Sequence, residues 1–520
     1  MQRRSSQRPH RGTAIVIACL ITATMLVGGV LGAVALTDGQ GGTPRAGDAS
    51  ASASPASSGA VLPSASASPS NRADRALDAL RPVVSAAGFV HPGVFVNLAE
   101  LKATRDHINA GDQPWTDLFH GLETSKFIRR GAPDFSAFAP ATDPRVGAPA
   151  CSTSNPAGCV SYCGSFNVPN VGCTQQQDDA RAVYAQSLMY AYTGNATYAE
   201  RAIAILNSYA AHFRGSFGSN GPLMTAWTAE QMIRGAEILR YTYTPSAGGP
   251  TFDVAQFSAM LRTTIIPTLR GPGYAGKNGN WGLSAADGLM NTAVFLDDRA
   301  LFEQAVGMWR DDTRAYIYLS SDGSEPIPPA SAFGKVSNPP LLACRWLSNK
   351  PSACLTHPQT DPHLVAQNGQ NQESCRDFGH ASMGLAAIVN GAETAWIQGT
   401  DLYREEQQRI ITGYLYTVQI SQNIAAQGWP QGFCDGAAEG GIDPSLQELA
   451  ADVFYNAYAV RLGQRLSPIA IPGYPTPPAR EDPVEAFIQA HRVGRDFAHN
   501  VTAWEALTHY HSSVSVPKKQ

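Results

Sequence analysis

Apolar residues recur at helical spacing along most of this 520-residue chain. Between residues 176 and 192 they fall on one helical face, and the same spacing resumes at 198–213 after the break Thr193-Gly194-Asn195. Glycine and Asn/Asp breaks of this kind are typical of helix ends. The chain is therefore predicted to be mainly all-α and built from helical hairpins. Further segments with this spacing are 226–241, 254–269, 283–295, 300–317, 381–398, 403–421 and 444–462.

Paired helices over residues 75–470 predict an α/α toroid, an incomplete α/α barrel whose inner and outer helices surround a cleft. A stacked helical solenoid is the alternative, but no fixed repeat period supports it. The sequence has no sustained strand alternation, no G-x-G-x-x-G motif and no P-loop. Residues 471–520 are predicted to form a C-terminal helical extension that packs on the toroid, with a helical stretch at 484–510.

The N-terminus predicts export. Four arginines between residues 3 and 11 precede an uncharged run at 13–36, which as a helix would be about 36 Å long and could cross a bilayer. Residues 1–37 are thus either a signal anchor or a signal peptide cleaved near Ala33-Val34-Ala35. Both place the remainder outside the cell, secreted or held at the plasma membrane. Residues 38–74, rich in Ser, Ala and Pro, are predicted to be a disordered linker.

Charge and cysteine content narrow the function further. The net charge is −4 and no long basic run occurs beyond the N-terminus, which argues against a nucleic-acid partner. An even number of cysteines in an exported region predicts disulfides, whereas a zinc cluster would favour a C-x-x-C pair that is absent. Proximity favours Cys344 with Cys354 and the first four cysteines among themselves. The eight cysteines of the predicted exported region, which excludes Cys19, are Cys151, Cys159, Cys163, Cys173, Cys344, Cys354, Cys375 and Cys434.

Two segments concentrate polar side chains just ahead of predicted helices. One is residues 277–281, Lys-Asn-Gly-Asn-Trp, and the other is residues 370–380, which contains amides, an arginine and a histidine. Helix N-termini favour anions, because their first backbone N–H groups are unpaired. Both segments therefore suit a substrate that carries a carboxylate.

In these segments the chain resembles a known family, the alginate-lyase-like polysaccharide lyases. The resemblance starts at His91-Pro92-Gly93-Val94-Phe95, continues at 280–284 and 294–299, and extends over roughly residues 90–470. Its most specific block is residues 372–380, Gln-Glu-Ser-Cys-Arg-Asp-Phe-Gly-His, followed by 392–403. The resemblance implies an α/α toroid and metal-independent β-elimination on an acidic polysaccharide that contains uronic acid, with no cofactor.

The chain departs from the family pattern at two positions. Cys375 stands where the family usually has Gly, and Phe378 stands where it usually has Gln. A disulfide from Cys375 to Cys434 would explain the first change as structural. The second change removes a polar group beside the predicted site, so it bears on which substrate is preferred.

The chemistry of β-elimination suggests a role for each polar group. The C5 proton of a uronate becomes easier to remove when the neighbouring carboxylate is paired, and an amide or a guanidinium does this. Asn280 and Arg376 are the candidates for that task, and His380, Tyr414 and Tyr416 are candidates for the acid or base. Further substrate contacts are predicted from Asn278, Trp281, Gln372, Glu373, Trp429 and His363, the last also an alternative base.

Each role has a structural alternative. Asn280 could cap the next helix, and Arg376 could form an ion pair with Asp377 or Glu373. His380 and the tyrosines could belong to the core. At the level of function, the alternatives are a glycoside hydrolase that uses paired carboxylates such as Asp287, Glu373 or Glu439, and a glycan-binding surface protein without catalysis.

Overall fold

The computed structural model describes residues 77–511 except for 145–146, 148, 272–278, 324–325, 328–365, 431–432, 435–442 and 492–498. Helices dominate this part of the chain, as predicted. No helix in the described ranges is both long and apolar enough to cross a membrane. The predicted signal segment 1–37, the linker 38–74 and the pair Cys344 and Cys354 lie outside the described residues.

Four long helices form an inner layer, and each is followed by a helix of an outer layer. The inner helices are α3 (Cys173–Thr193), α5 (Gly221–Thr242), α8 (Asn280–Phe295) and α10 (Phe378–Ile397). The outer helices are α4 (Ala196–His212), α6 (Val254–Met260), α7 (Ile266–Arg270), α9 (Arg299–Tyr316), α11 (Leu402–Glu405) and α12 (Gln407–Gln427). A π-helical turn, Leu261–Ile265, joins α6 to α7. Most predicted helices are therefore confirmed, although the one predicted at 403–421 is broken at Glu406.

The inner helices run parallel and in register. α3 packs on α5, α5 on α8 and α8 on α10. Gly235 of α5 lies against Val183 of α3, Gly288 of α8 lies against Ala229 of α5, and Gly391 of α10 lies against Met290 of α8. In each pair the residues stand at similar depth from their helix N-termini. The N-termini of all four inner helices therefore lie at one end of the layer, here called the N-terminal face.

Shorter helices close the inner layer into a ring, which confirms the toroid prediction. They are α1 (Leu98–Ala110), α13 (Ala451–Tyr455) and α15 (Glu505–His509). α13 packs on α10 and α15, α15 packs on α1, and α1 packs on α3. α2 (Trp115–Thr124) packs on α1, and α14 (Pro483–His491) packs on α12 and α13. The helix predicted at 444–462 begins only at Ala451 and continues as a π-helical turn, Asn456–Arg461.

Short strands supplement the helices. β1 (Val83–Val84) pairs with β2 (Val90–His91), and β3 (Gly93–Val94) pairs with β4 (Val96–Asn97), both antiparallel. β5 (Ala139–Pro140), β6 (Cys159–Cys163), β7 (Asn170–Val171) and β8 (Phe213–Phe217) form a four-stranded sheet. These strands have two to five residues, too few for an alternation that the sequence would reveal. Two disulfides, Cys151–Cys159 and Cys163–Cys173, stabilise the sheet and confirm the predicted pairing among the first four cysteines.

The β3–β4 hairpin contacts α5, α8 and α10 inside the ring. There Phe95 is fully buried, and the Arg234 guanidinium lies 3.7 Å from the centre of its ring. Arg234 also pairs with Asp287 at 3.3 Å, and the side chains of both are inaccessible to solvent. The middle of the ring is thus filled by apolar and ionic groups together, and it forms the core of the molecule.

The C-terminal extension differs from its prediction. The stretch 484–510 is predicted to be helical, but of its described residues, 484–491 and 499–510, only those in α14 and in the five-residue α15 form helix. Between them, residues 499–503, here called the C-terminal strap, are not helical and contact inner helices α3, α5 and α10. Side chains of those helices donate to the backbone carbonyls of the strap, whose backbone bends instead of forming the predicted helix.

Candidate active site

The two polar segments identified in the sequence meet at Glu373. The Asn280 backbone N–H donates to Glu373 Oε2 at 2.9 Å, and its side-chain Nδ2 lies 2.9 and 2.8 Å from the two carboxylate oxygens. Arg376 donates through one terminal nitrogen to Glu373 Oε1 at 3.0 Å. Asn280 is the first residue of α8, so this carboxylate also accepts from a helix N-terminus, where negative charge is stabilised.

Asn280 and Glu373 are both buried, with 0% and 3% of their surface exposed. The amide nitrogen of Asn280 is therefore committed to an internal carboxylate. This corrects the prediction that Asn280 and Glu373 contact substrate directly, because both side chains are buried and hydrogen-bonded to each other. The Arg376 side chain is 36% exposed and lies at the edge of the cluster.

His380 and Asp377 form a second pair beside the first. Asp377 is the N-cap of α10 and accepts from the His380 backbone N–H at 2.7 Å. The His380 ring contacts the same carboxylate through Nδ1, at 2.7 and 2.6 Å from its two oxygens. Burial alone would raise the pKa of Asp377, but the hydrogen bonds and charge of His380, together with Arg376, lower it, so this carboxylate is ionised at neutral pH.

This contact fixes which nitrogen of the imidazole faces outward. With Nδ1 held by Asp377, a neutral ring carries its proton there and leaves Nε2 as an acceptor. Nε2 has no hydrogen-bond partner among the residues that the structure describes, and the side chain is 23% exposed. Arg376 Nε lies 3.7 Å from Asp377, so a guanidinium and an oriented imidazole share one carboxylate. Such an arrangement can hold an anion and remove a nearby proton.

The remaining predicted contacts lie at different depths. Gln372 is buried, and its backbone N–H donates to the Tyr316 carbonyl at 2.8 Å, so it is not at an open surface. Trp281 follows Asn280 on α8 and is partly buried against the core. Trp429 is partly buried and lies 6.3 Å from the Phe378 ring at the start of α10. Asn278 and His363 lie outside the described residues.

The two predicted tyrosines are not at this cluster, which corrects their assignment as acid or base. The Tyr414 hydroxyl donates to the carbonyls of Leu385 and Leu449, and the Tyr416 hydroxyl donates to the Gln367 side chain. Both tyrosines are fully buried. Burial raises the pKa of each well above its ordinary value, whereas a tyrosine base needs a lowered pKa. They belong to the core, as their helical spacing allowed.

The carboxylates of the hydrolase alternative are not paired across an open cleft in the described structure. Asp287 is fully buried and paired with Arg234, and Glu373 is buried against Asn280. Glu439 lies outside the described residues. Hydrolysis needs two carboxyl groups that face the glycosidic bond from opposite sides, and neither described acid is placed for that.

The family departures at Cys375 and Phe378 are accounted for by packing. Cys375 forms a disulfide with Cys434, the pairing that explains the change from Gly as structural, with an S–S distance of 2.02 Å. Phe378 is fully buried in a small apolar cluster with Tyr416, Ile420 and Phe433. The Phe378 side chain therefore points into this cluster, away from the polar groups of the site, and the disulfide ties the turn that carries Arg376 to the same cluster.

Two residues of the site were missed from the sequence. Tyr316, the last residue of α9, places its hydroxyl 3.3 Å from Glu373 Oε2 and 3.2 Å from the His380 carbonyl. The second is Asp377, for which the sequence indicates only a possible ion pair with Arg376. Its position three residues before His380, at a helix start, is the N-cap spacing and could have identified it. Nothing local in the sequence links Tyr316 to residues 373–380.

No group of three or more His, Cys, Asp or Glu side chains in the described ranges is arranged to hold a metal ion. The polar groups at the N-terminal face are instead amides, a guanidinium, an imidazole and two carboxylates. These groups provide hydrogen-bond donors, a fixed positive charge and a proton acceptor.

The alginate lyase family model matches residues 164–326, less than a third of the chain. The match contains Asn280 and Tyr316 and ends before Arg376 and His380. No curated protein matches the chain.

Among solved structures, alginate lyase A1-III from Sphingomonas species A1 is similar at 14% identity, with a TM-score of 0.43, over 71% of this chain and 88% of that one. A variant of that enzyme complexed with a tetrasaccharide has a TM-score of 0.38 and 14% identity, over 64% of this chain and 78% of the other. An alginate lyase from Bacteroides ovatus has a TM-score of 0.37 and 13% identity, over 71% and 93%. At these values no residue role carries over from those enzymes to this chain.

Proposed function

We propose that this chain, a polysaccharide lyase by its alginate lyase family match, cleaves uronic-acid-containing polysaccharide of the alginate or glucuronan type by β-elimination. The observation that carries the proposal is the pair formed by Arg376 and the Asp377-bound His380 at the N-terminal face of the toroid. One group binds a carboxylate, and the other accepts the proton next to it.

The elimination proceeds in balanced steps. The Arg376 guanidinium pairs with the uronate carboxylate and stabilises the enolate-like charge that develops there. His380 Nε2 takes the C5 proton, a double bond forms between C4 and C5, and the C4–O bond breaks. The leaving oxygen receives a proton, which the imidazolium returns. No water is consumed.

Asp377 supports the proton transfer through its contact with His380 Nδ1. It fixes the imidazole tautomer and stabilises the imidazolium that forms, as a carboxylate does for other catalytic histidines. Asn280 and Tyr316 both donate to Glu373, which accepts from Arg376 as well. Their hydrogen bonds hold the Glu373 carboxylate, which in turn orients the guanidinium. In this scheme they are positioning residues.

We also propose that the reaction takes place outside the cell. The basic and apolar N-terminus predicts export, and the disulfides Cys151–Cys159, Cys163–Cys173 and Cys375–Cys434 suit an oxidising compartment. Polyuronates are too large to enter a cell unaided. Whether residues 1–37 are cleaved or kept as a plasma-membrane anchor is decided by the N-terminal sequence of the mature protein.

A polyuronate panel tests the proposed reaction. The purified full chain is incubated with polymannuronate, polyguluronate and polyglucuronate, and unsaturated, ultraviolet-absorbing ends are counted against new reducing ends. A lyase gives one unsaturated end for each new reducing end on at least one polymer. New reducing ends without unsaturation would instead show a hydrolase, and binding without either product would show a glycan-binding protein.

A further inference from the structure

The C-terminal strap crosses the ring between its first and last long inner helices. On the α3 side, Gln177 donates to the Asn500 side-chain oxygen at 2.7 Å, and Arg181 donates to the His499 carbonyl at 3.1 Å. On the α10 side, Asn390 donates to the Val501 carbonyl at 2.7 Å. The strap lies far beyond residues 164–326, the part of the chain that the family model matches.

The strap also donates a hydrogen bond to each carboxylate oxygen of one acidic side chain, Glu448. The Asn500 amide donates to Glu448 Oε1 at 2.8 Å, and the Val501 backbone N–H donates to Glu448 Oε2 at 2.9 Å. Glu448 is 2% exposed, so both carboxylate oxygens are satisfied within the protein. A buried carboxylate that lost one of these donors would be left partly unpaired, which is costly.

Glu448 in turn contacts the start of the helix that carries His380. Its backbone N–H donates to the Ser382 hydroxyl at 3.3 Å, and that hydroxyl donates to the Gly379 carbonyl at 2.8 Å. Five residues before Glu448, the Asp443 carbonyl accepts from the Phe378 backbone N–H at 3.1 Å. The segment 443–448 therefore holds the first turn of α10 from outside.

We infer that Asn500 is a positioning residue for His380, acting through Glu448. The inference rests on the proposed function, because it assumes that His380 is the proton acceptor. The strap fixes Glu448, Glu448 and its segment fix the first turn of α10, and that turn sets where the imidazole meets the substrate. A misplacement of about 1 Å at a reacting group can cost about 10²-fold in rate.

A polarity swap tests the inference with little change of shape. Asn500→Asp places a carboxylate against Glu448, and Glu448→Gln places an amide against the amide of Asn500. The double variant restores a donor facing an acceptor, with Gln177 and Val501 still able to bond. We expect each single variant to lower kcat at least fivefold with KM changed less than twofold, and the double variant to recover most of kcat.

Gln231→Ala is the matched control. Gln231 donates to the His499 and Asn500 carbonyls at 2.8 and 2.9 Å but has no hydrogen bond to Glu448. This variant loosens the strap without disturbing the path to α10, so we expect a lower thermal midpoint and an unchanged kcat. Equal loss of kcat in the control and the swap variants would overturn the inference, as would single variants with full kcat or a double variant without recovery.

Hydrogen exchange separates this inference from the proposed function. In the single variants, amide exchange in a peptide covering 378–388 should be several-fold faster than in the wild type, and the double variant should restore protection. That result does not depend on any substrate. If exchange responds as expected but the wild type yields no unsaturated product, the proposed function fails while the mechanical link stands. Unchanged exchange in both single variants refutes the link itself.

Discussion

Two regions of the ring contain the same kinds of charged side chain but in different surroundings. At the N-terminal face, Arg376 and His380 are 36% and 23% exposed, and Asp377 lies between them. In the middle of the ring, Arg234 and Asp287 are paired with no exposed surface, and Glu505 lies 3.8 Å from the same guanidinium. Burial raises the pKa of Asp287 to about 6 and that of Glu505 to about 7, although Arg234 opposes both shifts.

The difference shows that burial, more than the type of side chain, decides whether a charged group can reach a substrate or only stabilises the fold. A carboxylate that is inaccessible and bonded to arginine cannot meet a substrate, whatever its pKa. An imidazole that is bound through Nδ1 and partly exposed, as that of His380 is, can meet one. The proposed function accordingly assigns the middle of the ring to stability and the N-terminal face to catalysis, and each prediction below challenges that division.

The largest expected effect is on catalysis at the N-terminal face. His380→Ala should lower kcat by about 10³-fold, because a positioned general base contributes about 10²–10⁴-fold. Steady-state kinetics on the best polyuronate checks this. His107→Ala is the control, since His107 is a half-buried histidine of α1 that likewise pairs with an aspartate, Asp112. Near-normal turnover in the His380 variant would mean that another group takes the proton.

In the middle of the ring the expected effect is on stability instead. Arg234→Met leaves Asp287 and Glu505 without their cation, and breaking a buried ion pair typically costs about 3–5 kcal/mol. Urea unfolding measures the loss of free energy. If the variant does not fold, Arg234→Lys should show a smaller loss. A large drop in kcat per folded molecule in either variant would break the division between the two regions.

Arg376→Ala should lower kcat/KM by about 10²-fold, the scale of one lost oxyanion-type donor. Arg376→Lys should recover part of the activity, because it keeps the charge but loses the planar fork. Asn280→Ala, through release of Glu373, is expected to fall in the same range. Full activity in both alanine variants would show that the substrate carboxylate is bound elsewhere.

The buried histidine His91 links the β1–β2 hairpin to the ring, and its ion pairs make the free energy of unfolding depend on pH. His91 Nδ1 lies 2.6 Å from Glu237, and Nε2 lies 3.0 Å from Asp297. Burial would lower the pKa of His91, but the hydrogen bonds and charges of these two carboxylates outweigh it and raise the pKa. This contribution is therefore complete below the ordinary histidine pKa of about 6.5 and is lost as pH rises through the folded value.

The measurement is urea unfolding of the wild type and His91→Asn at several pH values from 5 to 9. The stability advantage of the wild type should shrink toward alkaline pH. An advantage that grew with pH would contradict the assigned direction. Activity per folded molecule should be the same in both proteins, because His91 does not contact the site.

The smallest effect is expected for Tyr316→Phe. The Tyr316 hydroxyl is buried on Glu373 and on backbone carbonyls, and burial together with Glu373 raises its pKa well above the ordinary value. It should act by position alone, so kcat should fall less than about tenfold. A loss of kcat as large as that of His380→Ala would indicate that Tyr316 is the acid or base, and the roles in the site would have to be reassigned.

Helical periodicity and capping signals were enough to predict most of the long helices and the toroid. The polar residues near helix starts were also identified, because Asn280, Arg376 and His380 each stand beside a recognisable N-terminus. How deeply each of these side chains is buried could not be predicted from the sequence. In the sequence, Asn280 and Arg376 are both hydrogen-bond donors near a helix start. Packing alone decides that Asn280 is buried against Glu373 while Arg376 reaches the surface.

Long-range pairing was the other limit. Tyr316 reaches Glu373 across 57 residues, and Asn500 reaches Glu448 across 52, through contacts that no local pattern encodes. The strap lies within the stretch 484–510 that the sequence predicts to be helical, but tertiary hydrogen bonds to its carbonyls from Gln231 and Asn390 replace the helical hydrogen bonds there.

A C5-deuterated polyuronate tests the central claim, that an Asp377-bound imidazole removes the C5 proton while Arg376 holds the carboxylate. Single-turnover reactions with excess enzyme isolate the chemical step from product release. The account predicts that unsaturated ends appear several-fold more slowly from the deuterated polymer than from the protiated one. Equal rates, or cleavage without unsaturated ends, would contradict it.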